Sequence, residues 1–99
     1  MTLITNFPAD IAAAGWVLAD DKKAINKTFK FASFADAMAF MLRVSYAAEA
    51  ADHHPEWRNV YNRVEVRLTS HDAGGLTHKD VKLAQVMELC AGAPDIAKR

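Results

Sequence analysis

Val60-Tyr61-Asn62-Arg63-Val64-Glu65-Val66-Arg67-Leu68-Thr69 alternates without a break. In an extended chain successive side chains point to opposite faces. Val60, Asn62, Val64, Val66 and Leu68 therefore share one face, and Tyr61, Arg63, Glu65, Arg67 and Thr69 the other. One core face and one wet or interfacial face is the pattern of an antiparallel sheet covered on one side. Strict alternation also fixes register, because a slip of one residue would turn the apolar set towards water.

Working outward, Ile25 to Phe31 reads as a second half-buried strand, with Thr28 and Lys30 alternating with Phe29 and Phe31. Trp16 to Ala19 reads as a third, joined to it in a hairpin across the polar turn Asp20-Asp21-Lys22-Lys23. Pro8 to Ala14 is a short helix with Pro8 in its first turn and Gly15 as its stop. Ser33 is placed to cap a long amphipathic helix, with Asp36 three residues on and Phe34, Met38, Met41, Leu42 and Ser45 at helical spacing. That helix runs through Ala51 and ends at or before His54, because Pro55 disfavours helical backbone in the residue preceding it.

Ser70 to Ala73 is a candidate brief edge strand, and Gly74-Gly75 breaks the chain. Thr77 caps a last helix, with Asp80 at its third position and Leu76 and Val81 spaced as a hydrophobic staple. Leu83, Ala84, Met87 and Cys90 carry its apolar stripe, Gly92 and Pro94 end it, and the tail to Arg99 is expected to fray. The expected architecture is an α+β fold: one domain over residues 1–99, a four-stranded antiparallel sheet with helices packed on one face.

Composition narrows the functional classes. Lys plus Arg and Asp plus Glu number 12 each, so no net field draws the chain to DNA, RNA or an anionic membrane. The 52% hydrophobic and 24% charged fractions are those of a soluble globular protein. No apolar run approaches a membrane span, and the N-terminal residues lack the positive region of a signal peptide, so a cytoplasmic location is expected. The lone Cys90 excludes an internal disulfide and reads as a buried small hydrophobe.

Three of the four histidines fall in two short turn-like segments, His53-His54-Pro55-Glu56-Trp57 and Thr69-Ser70-His71-Asp72. Loops on a rigid scaffold are where chemistry is usually presented. Histidine is the side chain whose ordinary pKa lets it give and take a proton near neutral pH. His78 lies outside these segments and reads as surface, as does Glu56.

The run Asp52-His53-His54-Pro55-Glu56-Trp57, with Tyr61-Asn62, Thr69-Ser70-His71-Asp72, Gly75-Leu76 and Asp80, closely resembles the pterin-4a-carbinolamine dehydratases, and with Gly15-Trp16 the likeness spans nearly the whole chain. The resemblance implies a lyase that removes water from a 4a-hydroxytetrahydropterin to give the quinonoid dihydropterin, in tetrahydrobiopterin recycling. Its substrate carries nitrogen and hydroxyl on one carbon. A general acid must protonate the departing oxygen and a base must take a ring proton, each transfer worth about 10²–10⁴-fold. No metal, redox cofactor or covalent nucleophile is needed.

Carried over by position, His53, His54 and His71 match the active-site histidines of that family. His53 and His71 are then the acid/base pair, with the order between them open, and His54 grips the pterin. Asp52 and Asp80 are candidates to orient an imidazole, although capping alone would equally explain Asp80. Glu49 would bind the guanidine-like edge of the ring, and Pro55 would stiffen the segment. Trp57 is either a flat wall for the heterocycle or core. Backbone groups of His53 to Pro55 and of Ser70, His71, Asp72 and Ala73 would add hydrogen bonds.

Zinc is the competing chemistry, since the three histidines and a carboxylate could be drawn as a ligand set. Adjacent histidines diverge, however, and there is no HExxH or CxxC. Relatives in the family form dimers by sheet extension and tetramers through helix packing, so a homodimer or homotetramer is expected. The same fold also serves as a dimerisation or coactivator module without catalysis, which is the alternative reading.

Overall fold

In the computed structural model, residues 2–4 and 6–93 are described, so the expected fraying of the tail to Arg99 lies largely outside them. The elements run α1 (Ala9–Ala13), β1 (Val17–Leu18), β2 (Ile25–Lys30), α2 (Phe34–Ala51), β3 (Glu56–Val60), β4 (Arg63–Leu68), a 3₁₀ turn (His71–Ala73) and α3 (His78–Ala91). The strands form one antiparallel sheet in the order β1-β2-β4-β3. This is the expected α+β architecture.

The sheet's inner face carries Ile25, Phe29, Val64, Val66 and Leu68, all buried. Against it pack Ile11 of α1, Ala37, Phe40, Val44 and Ala48 of α2, and Leu83, Ala84 and Met87 of α3. The spacing of the α2 set is three to four residues, the stripe that a helix turns towards a core. Phe40 sits at the centre, its ring 4.8 Å from that of Phe29 and 5.0 Å from that of Phe31. Such aromatic pairs add about 0.5–1.5 kcal/mol beyond the area they bury.

The caps follow the sequence reading. Ser33 Oγ accepts from the Asp36 N–H and donates to Asp36 Oδ2. Thr77 and Asp80 form a complete capping box at the start of α3. Pro8 stands at the N-cap of α1, one residue earlier than expected, and Gly15 takes φ 102° where that helix stops.

Two readings are corrected. Val60 to Thr69 is not one strand: the chain reverses at Tyr61-Asn62, and β3 begins at Glu56. Val60 pairs with Arg63, so it shares the outer face with Arg63, not the inner face with Val64. The turn contains no glycine, and Tyr61 itself adopts φ 52°. It is held by polar side chains: Asn59 Nδ2 donates to the carbonyls of Tyr61 and Arg63, and Asn62 Nδ2 to that of Phe31. The second correction concerns Ser70 to Ala73. Ser70 makes only an isolated bridge to Gly75, and His71–Ala73 wind into the 3₁₀ turn; the fourth strand is Glu56–Val60.

Candidate active site

The end of α2 aims the paired histidines. Asp52 turns into the left-handed region at φ 50°, a conformation that aspartate tolerates better than most residues. Its N–H reaches back to the Glu49 carbonyl, and the His53 N–H reaches the Ala48 carbonyl at 3.0 Å. This pair of bonds is a Schellman cap, which satisfies two terminal carbonyls and swings the chain off the helix axis. His53 and His54 emerge from it, and Pro55 leads into β3.

His53 is held from within. Its Nε2 lies 2.6 Å from Asp80 Oδ1, with the imidazole 11% and the carboxylate 0% exposed. Asp80 Oδ2 accepts from Ser70 Oγ at 2.8 Å and from the Thr77 N–H at 2.9 Å. A buried carboxylate is tolerated only when its lone pairs are occupied by donors. Asp80 therefore does both things left open by sequence: it caps α3 and it orients an imidazole. Ser70 Oγ also pairs with Thr77 Oγ1 at 2.7 Å, which ties the His71 turn to the start of α3.

The other two rings are more open and similarly held. His54 Nε2 lies 2.9 Å from Glu49 Oε1, and His71 Nε2 lies 3.0 Å from Glu56 Oε2. All three imidazoles thus present Nε2 to a carboxylate. In the neutral ring that places the proton on Nε2 and the lone pair on Nδ1.

His53, His54 and His71 line one hollow of about 170 Å³, with Asp52, Thr69, Ser70, Asp72 and Lys79 completing its wall. Separate segments are thereby gathered at a single place. Glu49 and Asp80 stand behind histidines and do not line the hollow, and neither do Pro55 or Ala73. Trp57 also lies elsewhere. It pairs with Val66 on the inner face of the sheet and packs against the core.

Sequence reasoning passed over Thr69, Lys79 and Glu56. The signal for Glu56 was its pairing with Arg67, visible only once the Tyr61-Asn62 reversal is recognised. Among the described residues, no group of three or more His, Cys, Asp or Glu side chains is arranged to hold a metal ion. Burial pushes the Cys90 thiol up, against the thiolate form a nucleophile would need.

One face of this α+β domain carries three carboxylate-held histidines in one hollow, side chains whose ordinary pKa lets them give and take a proton near neutral pH. The chain belongs to the pterin 4 alpha carbinolamine dehydratase family, whose pattern it matches over residues 4–90. It is 56% identical over 79% of its length, and 77% of the relative's, to a Rhizobium johnstonii protein named "putative pterin-4-alpha-carbinolamine dehydratase". A Sinorhizobium medicae protein of the same name is 57% identical over 78% of this chain and 73% of its own. Among solved structures, a transcriptional coactivator/pterin dehydratase from Brucella melitensis superposes with a TM-score of 0.79 at 44% identity, covering 84% of this chain and 90% of that one. A pterin dehydratase-like RuBisCO assembly factor of the alpha-carboxysome shares the fold, with a TM-score of 0.61 at 21% identity over 72% of this chain and 82% of that one.

Proposed function

We propose that the chain is a cytoplasmic 4a-hydroxytetrahydropterin dehydratase acting by histidine general acid/base catalysis in pterin cofactor recycling. The observation that carries the reading is the convergence of His53, His54 and His71 on one hollow, each backed by a carboxylate. One of His53 and His71 protonates the leaving hydroxyl, so the carbon–oxygen bond breaks and water departs. The other takes the proton of the adjacent ring nitrogen as the carbon–nitrogen double bond forms. His54 grips the ring, and Asp52, Ser70 and Asp72 offer polar groups from the wall. The test is dehydration of an enzymatically generated carbinolamine, followed spectroscopically against the spontaneous rate. Acceleration supports the reading, and none removes it.

A second reading rests on a different surface. Phe34, Met38, Leu42 and Tyr46 are all exposed and recur every four residues along α2, so they form one continuous stripe. Contiguous exposed apolar surface marks a contact site. It supports a homodimer or homotetramer, or a protein-binding role of the kind named for the coactivator and assembly-factor relatives. Light scattering at several concentrations is expected to give at least the dimer mass. A monomer throughout would remove self-association.

A further inference from the structure

Glu56 opens β3 on the outer face of the sheet, directly after the His53-His54-Pro55 segment. Its two carboxylate oxygens serve different neighbours. Oε2 lies 3.0 Å from His71 Nε2, and Oε1 lies 3.9 Å from Nε of Arg67, its partner across the β3–β4 ladder. Arg67 reaches Asp21 in turn, Nη2 to Oδ2 at 3.5 Å. The Lys23 backbone N–H, and then Arg67, hold the Asp21 carboxyl below the usual carboxylate range, so it stays an anion for Arg67.

His71 needs an external hold. Its side chain is 78% exposed on a 3₁₀ turn of three residues, and among the described residues Glu56 is its one hydrogen-bond partner. Asp80 holds the same ring atom of His53 from the buried side. We propose that Glu56 is a positioning residue for His71, holding the imidazole by its Nε2–H so that Nδ1 is the ring atom left to give or take the transferred proton. The kinetic consequence rests on the dehydratase reading; the ring geometry does not.

The test compares Glu56→Ala and Glu56→Gln with the wild type by ring-nitrogen NMR of His71 and by dehydration kinetics. Glutamine keeps an oxygen that can accept from Nε2–H, so it should retain the wild-type tautomer, whereas alanine should give a mixture. The alanine variant should lose about two- to five-fold in kcat, the range of an exposed charge pair, with little change in KM. In a His71→Ala background the same change should cost nothing further. An unchanged His71 tautomer in Glu56→Ala, or an equal loss of kcat without His71, would overturn the proposal. A wild-type protein that does not accelerate dehydration would instead remove the dehydratase reading, and the tautomer comparison would still decide the role of Glu56.

Discussion

Replacing His53 by alanine is expected to lower kcat for carbinolamine dehydration by about 10²–10⁴-fold, the worth of one positioned proton transfer. His71→Ala should fall in the same range, because expelling hydroxide and losing the ring proton are separate demands on separate groups. The two variants should differ in stability. His71 is exposed, and its loss leaves nothing buried without a partner. His53 is one of three donors to a fully buried carboxylate, so its removal should cost about 1–3 kcal/mol in denaturant melts. Circular dichroism should stay that of the native fold in both. Full activity in both variants would refute the acid/base assignment while leaving the family untouched.

Asp80 is where fold and chemistry meet, and its replacement carries the largest expected structural effect. Asp80→Ala removes the partner of His53 Nε2 and of the Thr77 N–H, leaves Ser70 Oγ only Thr77 Oγ1, and takes away half of the α3 capping box. Each buried donor left unsatisfied costs about 1–3 kcal/mol, and His53 and the Thr77 N–H both lose theirs, against a total stability of about 5–15 kcal/mol for an ordinary domain. The alanine variant should therefore be poorly folded. Asp80→Asn separates the roles. Its amide oxygen can still accept from Ser70 and Thr77, but its NH₂ would face His53 Nε2 and drive the ring proton to Nδ1. That variant should fold and melt near the wild type yet lose about 10²–10⁴-fold in kcat, the cost of the wrong tautomer. If Asp80→Asn were fully active, Asp80 would be a cap and nothing more.

How far the sequence could be read depended on how local the signal was. Helix caps are written in three or four adjacent residues, and Ser33 with Asp36 and Thr77 with Asp80 were legible for that reason. The strand pattern at Val64, Val66 and Leu68 was equally plain. The reversal at Tyr61-Asn62 was hidden because alternation continues across the turn and no glycine marks it. Its left-handed residue is a tyrosine, stabilised by Asn59 and Asn62 bonds that only the folded chain reveals. Ser70 to Ala73 misled for a similar reason: four residues are too few for periodicity to separate a strand from a 3₁₀ turn.

At the site, the histidines were legible as types and spacing, and their meeting in one hollow is a product of topology. His53 and His71 lie at opposite ends of the β3–β4 hairpin in sequence, and antiparallel pairing brings those ends together. The carboxylate partners were less visible. Asp80 was recognised for its capping position, with its bond to His53 left open. Glu56 was read as solvated because its partners sit 11 and 15 residues away, on the strand and turn that the hidden reversal folds back beside it.

The central claim is that this hollow removes water from a pterin carbinolamine. The most direct measurement generates 4a-hydroxytetrahydropterin in situ and follows its decay with and without the purified chain. The account predicts a decay that quickens in proportion to protein concentration and falls back towards the spontaneous rate when His53 and His71 are both replaced by alanine. A decay indifferent to the wild-type protein at every concentration would contradict it.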